Sequence, residues 1–191
     1  MLFNSAIVFV LASTSTAVAC ACCAEPGFRA TTNFEMEDWL SEEIARIKIN
    51  GEAHLYTGAC WPDCTRGIKD PQETYDASLV ISEDVWQLDF AAQDAPGGTL
   101  RWTTPDDLSF FRADTTPEAG SGDAILYAEV RMRIELAGSG VFTGSLMPAE
   151  LVLTGQSNVC LDASRLQNWH LIVGTEEASF HFFGDLAGTP Q

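Results

Sequence analysis

The sequence predicts an all-β chain, a single antiparallel β-barrel or β-sandwich of about 8–10 strands with at most short helical turns. Three observations carry that expectation. From Leu126 to Leu136, Leu126, Ala128, Val130, Met132, Ile134 and Leu136 point one way, and Tyr127, Glu129, Arg131, Arg133 and Glu135 the other. This is the period of two that a half-buried strand requires, and a helix would scatter the apolar set around its circumference. Shorter apolar runs follow one another at close spacing, separated by Gly, Pro, Asp and Ser. The third observation is two-residue alternation in other runs as well, as where Trp86, Leu88 and Phe90 interleave with Gln87 and Asp89.

The elements follow in order. Residues 24–38 mix Pro, Gly, Thr and acids without a period and read as an irregular lead-in. Leu40-Ser41-Glu42-Glu43 reads as the start of a short helix with Ser41 as its cap, although pattern alone does not separate a short helix from a strand there. From Ile44 the chain reads as extended through Ile47, Ile49 and Leu55-Tyr56. Gly58 to Thr74 is a loop, because its Pro and Gly residues interrupt any ladder. Strands are expected at Ala77–Ile81, Trp86–Phe90, Leu100–Trp102, Leu108–Ala113, Leu126–Leu136, Glu150–Thr154, Trp169–Val173 and Ala178–Phe183. Pro96-Gly97-Gly98 and Thr115 to Asp123 punctuate them, Gly138-Ser139-Gly140 reads as a turn, and Asp162 caps a helical turn over 161–166. Thr-Gly closes three strand-like runs, at Gly58, Gly144 and Gly155, but the intervals differ, so no repeat architecture is implied.

The N-terminus reads as an export signal. Residues 1–19 carry no charged side chain, Ala6 to Ala12 is a short apolar run, and Ala17-Val18-Ala19 offers small residues where a signal peptidase cuts. The basic n-region is missing, and the Ser13 to Thr16 stretch interrupts the run well before the roughly 20 residues that a membrane span needs. The expected organisation is a signal peptide at 1–19, a Cys-rich irregular segment at 20–43 and a β-rich domain at 44–191, exported to the periplasm or beyond the cell.

The formal charge of −17 belongs to the part after the signal. Nucleic acid is therefore not an expected partner, since its binding rests on Lys and Arg neutralising phosphates. All six cysteines, Cys20, Cys22, Cys23, Cys60, Cys64 and Cys160, follow Ala19. In an oxidising compartment an even count reads first as disulfides, and six cysteines allow 15 pairings among which the sequence does not choose. Neighbouring Cys22 and Cys23 are poorly placed to bond each other, since a disulfide wants Cα atoms about 4.4–6.8 Å apart. Ties from the N-terminal cluster to Cys60, Cys64 or Cys160 close long loops, each stabilising by about 3–5 kcal/mol in the chain-entropy model.

The same cysteines carry three other readings. Ala17-Val18-Ala19-Cys20 resembles a bacterial lipobox, which makes Cys20 a lipidation candidate and the chain a surface or outer-membrane lipoprotein. Ala17 stands where that motif usually has Leu. Cys20, Cys22, Cys23, Cys60 and Cys64 together have the thiolate density that suits copper or zinc, without zinc-finger spacing. Cys60-Trp61-Pro62-Asp63-Cys64 has one residue more than a redox CxxC and sits in a loop, so thiol exchange is the weakest of the three.

Hydrolytic motifs do not assemble. There is no GxSxG, HExxH, EF-hand or phosphate loop, and acidic pairs such as Asp106-Asp107 and Glu176-Glu177 carry little information in so acidic a chain. The histidines are His54, His170 and His181. His54, ahead of Cys60, reads as an ordinary surface or core residue. His170 and His181 fall in consecutive strands, where pairing across a hairpin is open to them, although two exposed strand histidines are the simpler expectation. Trp86, Phe90, Trp102, Phe110, Phe111, Trp169, Phe180 and Phe182 either fill a core or line an apolar cavity, and the core is the expectation.

Leu151 to Cys160 (LVLTGQSNVC), Asn168 to Val173 (NWHLIV) and Gly184, taken with the Cys-rich N-terminal cluster, resemble small exported bacterial proteins of no established function. The resemblance implies export and a β-rich domain and no activity. The expected function is an exported, disulfide-stabilised, non-enzymatic binding or envelope-associated module. The alternatives are a soft-metal protein using the N-terminal cysteines and a hydrolytic or thiol-redox enzyme without a recognisable motif.

Overall fold

The computed structural model describes residues 38–59, 61–63, 65–105, 108–114, 125–143, 146–156 and 166–187. The signal-peptide boundary, the lipobox, all six cysteines, Asp106-Asp107, the Thr115 to Asp123 loop and the turn expected from Asp162 lie outside these residues. A short helix, α1 (Asp38–Ile44), precedes nine strands: β1 (Glu52–Leu55), β2 (Thr74–Ser82), β3 (Val85–Ala91), β4 (Gly98–Thr103), β5 (Leu108–Asp114), β6 (Ile125–Gly140), β7 (Met147–Gln156), β8 (Asn168–Gly174) and β9 (Ser179–Asp185). The helix starts before Ser41, which is an interior residue accepting a hydrogen bond from the Ala45 N–H, not a cap.

The strands form a closed eight-stranded antiparallel barrel with one extra strand, in the order β4-β3-β2-β1-β9-β8-β7-β6, sealed by β6 returning to β4. Barrel, not sandwich, is thus the outcome of the two expected architectures. β6 makes closure workable through its length. At 16 residues it spans about 50 Å, so one edge pairs with β5 over residues 125–132 and with β4 over 137–140. Gly138-Ser139-Gly140, expected as a turn, is the closing end of this strand. Gly140 has φ +72°, and a Cβ there would lie 2.5 Å from the Gly97 carbonyl oxygen and 2.7 Å from the Gly98 Cα. The two backbones meet where side chains are missing.

Alternation then sorts the residues. Trp86, Leu88 and Phe90 of β3, Leu100 and Trp102 of β4, Val130 to Leu136 in alternate steps of β6, and Trp169, Leu171 and Val173 of β8 all point inward and are buried. Phe182 of β9 faces Tyr75 and Phe90 across the interior, with Phe90 and Phe182 ring centroids 4.6 Å apart, and Phe180 packs on Phe142. Of the eight aromatics expected in the core, seven are buried; Phe111 is not, because its parity on β5 puts it outside. Ile68, Val141 and Phe142 close one end, where Lys69 N–H donates to the Val141 carbonyl and Thr143 N–H to that of Gly67. Ile44, Ile47, Ile49 and Leu186 cover the other. Between them a cavity of about 10 Å³ remains beside Leu79, Leu88, Trp102 and Leu153, room for about one water. Among the described residues no helix is long and apolar enough to cross a membrane.

Candidate functional site

The core pattern also decides what stands outside. Ala53 and Leu55 point in, so His54 and Glu52 point out. Trp169 and Leu171 point in, so Asn168, His170 and Ile172 point out, and Phe180 and Phe182 place His181 and Phe183 outward in the same way. β9 lies between β1 and β8, with His54 opposite Phe183, His170 opposite Phe183 and Ile172 opposite His181. All three histidines of the chain therefore meet on one wall of the barrel.

They are joined by rings. Phe183 is 5.4 Å from His54 and 6.2 Å from His170, centroid to centroid, and His181 stacks on Tyr56 at 5.7 Å and 28°. His170 Nδ1 and His181 Nε2 are 3.0 Å apart, so one ring donates and the other accepts. Of the two expectations for this pair, the hairpin pairing is realised. Burial holds His170 below its ordinary value, with Glu129 pulling weakly the other way, and burial followed by the charge of His170 lowers His181. Both shifts disfavour the charged imidazolium.

Beside them runs a groove of about 350 Å³, lined by His54, His170 and Phe183 together with Glu52, Asn168 and Asp185. Asn168 Nδ2 donates to Asp185 Oδ1 at 2.8 Å, which aims the amide and carboxylate together. Further round the wall, Glu129 of β6 faces outward yet is only 2% exposed. Its carboxylate accepts from the Tyr127 hydroxyl and from Arg131 Nε, and Arg131 also reaches Glu150 at 3.5 Å. The hydrogen bond to Glu129 raises the Arg131 guanidinium above its usual value, outweighing the effect of burial.

Thr74 Oγ1 lies 3.5 Å from His54 Nδ1, and Glu52 lies 3.8 Å from His54 Nε2. These separations are too long for the working hydrogen bonds of a nucleophile–base–acid relay. Glu176 and Glu177 are solvated residues in the β8–β9 turn. Among the described residues no three of His, Cys, Asp and Glu gather as a metal cluster, and the expected cysteine set lies outside them. The sequence reading did not single out Phe183, Tyr56 or Glu129. Alternation puts each of them outward, but only the β1–β9 pairing brings Tyr56 and Phe183 to the histidines, and nothing local marks Glu129 as buried. No family model, curated protein or solved structure matches the chain.

Proposed function

We propose that the chain is an exported, disulfide-stabilised binding module of the bacterial envelope that engages its partner through the outer wall made by β1, β9 and β8. The observation that carries this reading is the contrast between the two sides of that wall. Among the described residues the inward side chains leave a cavity of about 10 Å³ beside Ile47, Ile49 and Leu186, whereas outward ones line a groove of about 350 Å³ with rings, an amide and carboxylates. Small-molecule sites usually offer about 300–1,000 Å³, a capacity that the groove has and this cavity does not.

Charge narrows the partner. With a net charge of −17 and with Glu52 and Asp185 at the groove, a neutral or cationic ligand is favoured over a phosphate-rich one. Flat rings beside hydrogen-bonding groups offer such a ligand an apolar face and a polar edge. Export and the disulfides are supported by residues 1–19 and by the even number of cysteines after them.

The test is sedimentation of the purified mature protein with the envelope fraction of its native host. Retention is expected for the unmodified protein and for Val80→Ala combined with Gln87→Ala, on another wall. It is expected to fall sharply when His54→Ala, Tyr56→Ala and Phe183→Ala are combined. Absence of retention, or equal loss in both variants, would overturn the proposal.

A further inference from the structure

We propose that the groove along β1, β9 and β8 binds a guanidinium group of the kind that an arginine side chain carries. The inference names a ligand class for the wall taken above as the working surface, and it rests on that reading for its biological role. The geometry comes from two rows of outward side chains.

Register sets the rows. His54 and His170 both stand opposite Phe183. Three rings therefore cross the wall in line, with Phe183 in the middle, 5.4 Å from His54 and 6.2 Å from His170. A step of two residues along each strand reaches Glu52, Asp185 and Asn168 on the same face, and Asn168 stands opposite Asp185. Two residues of strand cover about 6.6–6.8 Å. A row of flat faces thus runs beside a row of polar groups, and both line the groove of about 350 Å³. The Asn168 amide donates to Asp185 Oδ1 at 2.8 Å, and the Asp185 backbone carbonyl accepts from the Asn50 N–H at 2.9 Å, so the carboxylate is held in place.

A guanidinium suits this pair of rows better than an ammonium does. It is planar, stacks on aromatic faces and carries its N–H donors around its edge, where a carboxylate accepts them, whereas an ammonium is a compact, strongly hydrated point charge. Attraction of a cation to a ring operates within about 6 Å of the centroid, comparable to the distance between the rows. Charge selects a cation over a neutral flat group. Glu52 and Asp185 line the groove, no Lys or Arg among the described residues does, and burial disfavours the charged form of His170. The chain also holds one such arrangement already filled. Further round the outer surface the Arg131 guanidinium lies 5.9 Å from the Phe111 ring centroid, with Nε on Glu129 and Nη1 3.5 Å from Glu150. In the groove a ring and carboxylates recur, and the arginine is left for a ligand to supply.

The experiment titrates the mature, unmodified protein with three capped probes and follows the ring resonances of His54, His170 and Phe183. Nα-acetylarginine amide carries the guanidinium, Nα-acetyllysine amide the same charge without the plane, and Nα-acetylcitrulline amide the plane without the charge. Saturable shifts at the three rings are expected for the arginine probe, with binding weaker by about two- to fivefold for lysine and by about fivefold or more for citrulline. This ranking is independent of variant folding. Asp185→Asn should weaken the arginine probe about fivefold and Phe183→Leu about two- to fivefold. Glu83→Gln, at an exposed acid between β2 and β3, should leave it unchanged. Free arginine separates the sources: tighter binding of the capped form assigns the group to a peptide segment, tighter binding of free arginine to a small molecule, and both support the site. Absence of saturation, equal affinity for the arginine probe and either of the others, or a loss in Glu83→Gln as large as in Asp185→Asn overturns it. Guanidinium binding by a protein that fails to sediment with the envelope would leave this site standing and remove the envelope-binding reading. Sedimentation without guanidinium binding would do the reverse.

Discussion

Gly140→Ala probes the closure of the barrel, because it places one carbon into the seam where β6 returns to β4. Two costs follow from the structure. The residue sits at φ +72°, a left-handed conformation that costs a non-glycine residue about 1–2 kcal/mol. The new Cβ would also stand 2.5 Å from the Gly97 carbonyl oxygen and 2.7 Å from the Gly98 Cα. Both neighbours are backbone, so no side chain can swing away and the ladder must move. Overpacking of this kind costs about 1–3 kcal/mol more. Gly51→Ala separates the two contributions: Gly51 has φ +77° with nothing within 4 Å of the built Cβ, so it carries the conformational cost alone. Urea unfolding of the three proteins, read from midpoints at a common slope, should place Gly140→Ala below Gly51→Ala by about 1–3 kcal/mol. At this chain size each kcal/mol also moves the melting temperature by about 2–4 °C. Equal destabilisation of the two variants would refute the reasoning, since it would mean that β4 and β6 do not meet at Gly140.

Other expectations follow from burial and charge. His170 and His181 have folded-state values lowered from 6.5, so the unfolded chain binds their protons more readily. Their contribution to stability is complete above pH 6.5 and declines as the pH falls through it toward the folded-state values; urea midpoints between pH 7.5 and 5.0 should fall, and His170→Asn with His181→Asn should flatten the fall. Glu129→Gln weakens a buried acceptor for Tyr127 and Arg131 and should cost about 1–3 kcal/mol, toward the lower end because Arg131 is 38% exposed, as thermal melts would register. Leu171→Ala, at a fully buried position, should cost about 2–5 kcal/mol, whereas Ile172→Ala beside it, 38% exposed, should stay within about 0.5 kcal/mol. Fatty acids and retinoid-like probes should find no stoichiometric interior site, and saturable quenching of Trp86 or Trp102 fluorescence by such a probe would contradict the filled core.

What could be read from the sequence was what is local. The alternation over Leu126–Leu136 located the inward face of β6, and that of Trp86, Leu88 and Phe90 the inward face of β3, because period two depends only on neighbours in the chain. Closure was not legible. It depends on Gly98 pairing with Gly140, and a Gly-Ser-Gly that ends a strand looks locally like one that turns. The site divides in the same way. Parity set His170 and His181 outside, whereas His54 read as surface or core alike, and it reaches the others only because β1 pairs with β9 across most of the chain's length. Burial of Glu129 was hidden for a related reason: its alternation with Val130 assigns it to the solvent side, and only the assembled wall shows a carboxylate enclosed with Tyr127 and Arg131.

The proposed function requires that partners meet the outer wall of β1, β9 and β8 and not the interior or the far wall. Photo-crosslinking in the native host tests it most directly, with a benzophenone amino acid placed singly at Tyr56 and Ile172, both exposed on this wall, and at Val80 and Gln87, a cross-strand pair on β2 and β3. A common adduct, identified by mass, is expected from positions 56 and 172 and none from positions 80 and 87. The same adduct from all four positions, or adducts from 80 and 87 alone, would contradict it.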